Sequence, residues 1–119
     1  MTTHDIAKQF TQLCGSGKFE EAGKRFWSDK VVSIEPMTGE MARLEGRQAV
    51  ENKGKWWAEN NTVHNVKVEG PFINGDTFMV RFEMDVTPKG KERTHMTETA
   101  LYTVKNDKIV EEKFFARSN

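Results

Sequence analysis

The sequence predicts an α+β domain in which helices lie ahead of, and pack against, one curved antiparallel sheet. Three observations point there. Apolar residues at helical spacing are gathered in the first half of the chain, as far as Asn60. The second half divides into strand-like stretches separated by short strings of turn residues. Within it, Phe78, Val80, Phe82, Met84 and Val86 alternate with Arg81, Glu83 and Asp85, the period of a strand with one buried face.

The elements follow in order. Ile6, Phe10, Leu13 and Cys14 share one helical face, and Phe19, Ala22, Gly23 and Phe26 share another after Gly15-Ser16-Gly17, giving a helical hairpin. Ser28-Asp29 then introduces a short β-branched strand, Val31, Val32 and Ile34, which Glu35 closes before Pro36 and the Thr38-Gly39 turn. From Gly46 to Asn60 the pattern is helical again, with Val50 and Trp57 one heptad apart and Asn60-Asn61 as the stop. Strands are expected at 62–73, 77–87, 92–105 and 108–116, parted by Asn74-Gly75-Asp76, Pro88-Lys89-Gly90-Lys91 and Asn106-Asp107. Links this short join antiparallel neighbours. The stretch 37–45 forms the rim of the sheet, and its Met37, Met41 and Leu44 suit either a lid or plain packing.

A chain of 119 residues is long enough to bury one core without disulfides or a structural metal, so residues 1–119 are read as a single domain. The 18 basic and 18 acidic residues balance, which argues against nucleic acid or an anionic membrane surface as partner. Met1 to Lys8 lacks the apolar core of a signal peptide, and no apolar run approaches a membrane span, so a cytoplasmic location is expected. The lone Cys14 sits among Phe10, Leu13 and Phe19 and is read as an inert buried thiol. His4, His64 and His95 show no metal-ligand spacing, and there is no Gly-rich phosphate loop or nucleophile elbow, so neither metal nor cofactor is expected. Lys89, Lys91 and Arg93 at a hairpin tip read as protection of a strand edge.

The order of these elements, together with Lys18-Phe19-Glu20-Glu21-Ala22, Val31-Val32-Ser33-Ile34-Glu35-Pro36, Leu44-Glu45-Gly46-Arg47-Gln48-Ala49-Val50, Tyr102-Thr103-Val104 and Lys108-Ile109-Val110, resembles a SnoaL-like domain of the NTF2-like superfamily. The resemblance runs from about residue 4 to 116. It implies a conical α+β barrel with a ligand cavity between sheet and helices, and a homodimer formed through the outer sheet face. Members include isomerases, cyclases, dehydratases, hydrolases and proteins that only bind, so the fold by itself assigns no reaction.

Among the catalytic relatives, the layout is similar to that of ketosteroid isomerase, in which an Asp general base works beside Tyr and protonated Asp oxyanion donors. On that likeness Glu35, ahead of Pro36, stands where the base stands, one methylene longer. The donors fall on Phe10 and at or beside Ala100, so both are replaced by apolar groups and steroid isomerisation by that route is not expected.

Read from alternation, His64 shares a face with Val66 and Val68, Glu98 with Met96, Ala100 and Tyr102, and Glu112 with Val110 and Phe114. If Glu35, His64, Glu98 and Glu112 converge, clustered carboxylates and an imidazole would exchange protons near neutral pH. The plainer readings stand beside it: a loop cap for Glu35, a carbonyl-bonded histidine for His64, and cross-strand ion pairs for Glu98 and Glu112. Trp27, Trp57, Phe72, Phe82, Met84, Met96, Tyr102 and Phe114 would give the cavity an aromatic and thioether lining suited to a small hydrophobic molecule, or would simply fill a core. Three functions are consistent with this. One is a cofactor-independent isomerase, cyclase or dehydratase, the second a small-molecule binding domain. The third is a homodimerisation module whose outer face includes Met79, Arg81, Glu83 and Asp85.

Overall fold

The computed structural model describes residues 1–115. Helices α1 (Thr3–Gly15) and α2 (Phe19–Phe26) open the chain, followed by β1 (Trp27–Ile34), a single 3-10 turn (Glu40–Ala42), β2 (Arg43–Glu45) and α3 (Arg47–Asn60). Strands β3 (Asn61–Asn74), β4 (Thr77–Pro88), β5 (Thr94–Lys105) and β6 (Lys108–Phe114) complete it. A capping box starts α1: Thr2 accepts from the Asp5 amide while Asp5 accepts from the Thr2 amide.

The six strands form one sheet in the order β2-β1-β6-β5-β4-β3. The hairpins β3–β4, β4–β5 and β5–β6 are antiparallel, as their short turns require. The sheet is nevertheless mixed, because β1 lies parallel to β6. The first strand is longer than its β-branched heart, beginning at Trp27 directly off α2, while β5 begins at Thr94 rather than 92. Part of the expected rim loop is a strand: Arg43 to Glu45 pair with Val32 to Ile34, and the Glu35 amide donates to the Ala42 carbonyl at 2.8 Å.

One face of the sheet is dry. Phe78, Val80, Phe82, Met84 and Val86 of β4 and Met96, Ala100, Tyr102 and Val104 of β5 are buried against Ile6, Ala7, Phe10 and Cys14 of α1 and Ala22 and Phe26 of α2. Phe10 meets Tyr102 edge-on at 4.7 Å between centroids, and Tyr102 stacks on Phe78 at 5.0 Å. At the other end of the sheet α3 packs on β1, tied down by Arg47, which bonds Glu51 at 3.0 Å and the Lys24 and Trp27 carbonyls.

Two bulges in β3 decide which of its residues face the core. The first follows Val63 and the second lies between Glu69 and Phe72. At the second, Gly70 has φ +120 and its Cα approaches so closely that a Cβ would lie 2.8 Å from the Met79 carbonyl oxygen, which leaves room for glycine alone.

Candidate functional site

Along β1 and one step past it, simple alternation points Val31, Ser33 and Glu35 into the cup. Val31 and Ser33 are fully buried, and the Glu35 side chain is only 13% exposed. Glu112 of β6 stands opposite Ser33 on one side and opposite Tyr102 on the other. The Ser33 hydroxyl donates to Glu112 Oε2 at 2.7 Å.

The cation for these acids comes from α3. Lys53 Nζ donates to Ser33 Oγ, lies 3.4 Å from Glu35 Oε1 and 3.6 Å from Glu112 Oε2, and stands 5.1 Å from the Phe114 ring centroid. With Val50 three residues before it and Trp57 four after, Lys53 occupies the inward face of its helix. Two carboxylates thus share one ammonium in a place where water hardly reaches.

Burial pushes the Glu112 carboxyl above the ordinary carboxylate range, against the pull of Lys53 and the Ser33 hydrogen bond, and Glu35 adds to the rise. Burial, then the Glu112 charge, raises the Cys14 thiol, which therefore stays protonated and inert as expected. Tyr102 is likewise driven well above its ordinary value, by burial first and then by Cys14, Glu112, Glu98 and Glu35.

Not every residue expected at the site arrives there. Glu98 does face inward, opposite Phe82 and 9% exposed, and its charge is felt at Tyr102. His64 does not: it is the extra residue of the first β3 bulge, exposed, with Nε2 2.7 Å from Thr87 Oγ1. The alternation that put it beside Val66 and Val68 is interrupted there, and Val63 takes the inward position. The second bulge inverts Phe72 in the same way, leaving it 61% exposed in an outward row with Met79 and Leu101. Phe82, Met84, Met96 and Tyr102 are buried, and Trp27, Trp57 and Phe114 are partly buried against them, so the side chains expected to line a cavity belong to the packed core. Trp27 lies over Gly23, where a Cβ would come within 2.7 Å of its ring. Two grooves of about 320 and 430 Å³ lie outside the cup, one between α1 and the second β3 bulge, the other beside Gly17 to Glu21.

Ser33 and Lys53 were missed from sequence. The signal for Lys53 was a cation between Val50 and Trp57 on the helix face that those residues turn inward. For Ser33 it was the parity it shares with Glu35 and Val31.

The SnoaL-like domain profile matches residues 1–116. A Mesorhizobium loti protein, described as a candidate SnoaL-like polyketide cyclase and also as a carbohydrate phosphatase, superposes with a TM-score of 0.94 at 48% identity, over 98% of this chain and 100% of that one. A candidate SnoaL-like polyketide cyclase of Jannaschia sp. CCS1 gives 0.73 at 15% identity, over 92% and 86%. A Catenulispora acidiphila protein with a ketosteroid isomerase-like fold, in complex with trimethylamine, gives 0.71 at 13%, over 87% and 79%. The last two likenesses are of fold alone. No functionally curated protein matches the chain.

Proposed function

We propose that this chain, which belongs to the SnoaL-like domain family, is a cofactor-independent enzyme that moves a proton on a small hydrophobic substrate, as an isomerase, cyclase or dehydratase does. The observation that carries this reading is the Glu35 carboxylate, withdrawn from water beside Lys53 at the end of β1. Burying an acid and a base is seldom the most stable way to fill a space, since apolar groups of similar volume usually serve as well or better. Charges kept there despite that cost are candidates for chemistry. Glu35 is the general base. Glu112 replaces His64 as the second proton-holding group, and Tyr102, Phe114 and Trp57 form the apolar surround. A substrate enters past the exposed stretch 36–41 that follows Glu35.

The reading is tested by deuterium exchange at the α-carbon of small cyclic ketones and 1,3-diketones, followed by proton NMR. Exchange faster than in buffer is expected, falling about 100-fold or more in Glu35→Gln, the usual contribution of a positioned base. Exchange that Glu35→Gln leaves unchanged would end it.

A second reading, a homodimerisation module with a packed interior, is favoured by the filled core and by apolar Phe72, Met79 and Leu101 on the outer sheet face. Sedimentation of wild type and Phe72→Ser checks the pairing. A dimer weakened by the substitution supports it, and a monomer at all concentrations removes it.

A further inference from the structure

Removing a proton from carbon next to a carbonyl leaves negative charge on oxygen, and a site without a donor for that oxygen gains little from its base. On the likeness to ketosteroid isomerase such donors would fall on Phe10 and at or beside Ala100, and Phe10 and Ala100 are both buried in the apolar core. Lys53 is the described cation that lies against Glu35 inside the cup.

The geometry points to Lys53 as the catalytic electrophile of this site: its ammonium binds the oxygen of an enolisable carbonyl substrate while Glu35 takes the α-proton. This rests on the proposed role of Glu35. The spacing suits it, because Nζ and Glu35 Oε1 are 3.4 Å apart. A substrate's oxygen has to come within about 3 Å of a donor and its α-carbon within about 3–3.5 Å of the base, and a carbonyl carbon links the two. In the step, the C–H proton passes to Glu35 Oε1 and the C–H electron pair becomes the C=C bond. The carbonyl π pair moves onto oxygen, which Lys53 N–H bonds. The proton on Glu35 then returns to carbon, at the same or a conjugated position, and the pairs move back.

Charge bookkeeping favours the arrangement. The negative charge starts on Glu35 and ends on the substrate oxygen, and the same ammonium neighbours both, so little has to reorient as the charge moves. Ser33 Oγ, the Glu112 carboxyl and the Phe114 ring also lie against the ammonium. Lys53 is therefore fixed before substrate arrives, and its own helix, α3, is anchored by Arg47.

The test uses 4-nitrophenol, whose phenolate resembles an enolate in charge and absorbs visibly. Bound to wild type, it is expected to ionise at lower pH than when free. Lys53→Gln should abolish that preference and slow α-carbon exchange about 100-fold or more, and Lys53→Arg should restore much of both. Glu35→Gln should lose exchange yet keep the phenolate preference, which separates the two roles. Thermal melts confirm that each variant is folded, and the titration of the bound phenol in wild type needs no variant. A phenol that does not bind, or binds without easier ionisation, overturns the role of Lys53. So does exchange that Glu35→Gln abolishes and Lys53→Gln leaves intact. Phenolate preference that depends on Lys53, with no exchange in wild type, keeps Lys53 as an anion-binding group and removes Glu35 as base.

Discussion

Both faces of one sheet carry a cluster of acids and bases, and the two clusters obey different physics. Inside, Ser33, Glu35, Lys53 and Glu112 meet with little water and few donors. Outside, Arg81, Glu83 and Asp85 project from the same β4 strand whose Val80, Phe82 and Met84 fill the core. There, Arg81 lies 3.2 Å from Glu69 and 3.3 Å from Glu83, and Arg93 3.3 Å from Asp85. His95 has Nδ1 2.7 Å from Asp85 and Nε2 3.0 Å from Glu83. Outside, donors decide: the Asn65 amide and His95 hold Asp85 down to about 2, and His95 lowers Glu83. Inside, loss of water decides, and Glu112 rises although a cation and a hydroxyl face it.

The difference predicts how each cluster breaks. The largest effect belongs to Lys53→Met, which leaves Glu35 and Glu112 buried without their cation, with side chains 13% and 5% exposed. Urea unfolding at pH 7 should register a loss of about 3–5 kcal/mol, the usual cost of removing one partner of a buried pair. Adding Glu35→Gln and Glu112→Gln to the same chain should recover most of it. A loss below about 1 kcal/mol would mean that water reaches the cluster and that the contrast between the faces is smaller than drawn.

Next comes Glu112→Gln. Because burial raises Glu112 in the folded state, the folded protein holds that proton more tightly than the unfolded chain. Its contribution is thus fully present below the unfolded value of about 4.3 and declines as pH rises through the raised folded value. Glu112→Gln should flatten that slope and leave the variant as stable as wild type or about 1 kcal/mol more so at pH 7, since Gln can still accept from Ser33 and Lys53 keeps Glu35. Stability curves against pH for the two proteins decide it.

How much of this was legible in the sequence varied with the kind of signal. The family was legible from local strings, and the profile over residues 1–116 agrees. The helices and the β4–β6 meander followed from periodicity, because short turns and alternation act over a few residues. The parallel β1–β6 pair and the edge strand Arg43–Glu45 involve partners far apart in sequence, which local pattern does not address. At the site, Glu35, placed by the family likeness, and Glu112 both lie inward, but Val110 does not share the Glu112 face as alternation implied, because the β5–β6 register slips between Thr103 and Val104 and leaves Val110 as the extra residue. His64 and Phe72 do not lie inward, because each β3 bulge inserts a residue and every parity argument beyond it is shifted. Lys53 was passed over for a different reason: a lysine among charged helix residues reads as solvated, and only the sheet beneath α3 turns its face into the interior.

The smallest effect, and the sharpest probe of the outer cluster, concerns His95. A neutral imidazole carries one N–H, so it can donate to only one of the two carboxylates that flank it; both contacts are favourable only when the ring is charged. Its two acids, Asp85 first, accordingly raise His95 above its ordinary value, with partial burial opposing them. A histidine held higher in the folded state adds stability below about 6.5, and that contribution disappears as pH rises through the folded value. NMR titration of wild type should therefore find His95 titrating above about 6.5, and Asp85→Asn should move it downward while leaving the Lys53 cluster and overall folding at pH 7 nearly unchanged. Glu83 and Asp85, which face His95, are half-buried at the sheet surface, with side chains 30% and 29% exposed, so raising ionic strength should shrink the shift as well. A His95 midpoint that neither Asp85→Asn nor salt alters would mean that the outer network does not hold its proton, and the two faces would then differ in burial only.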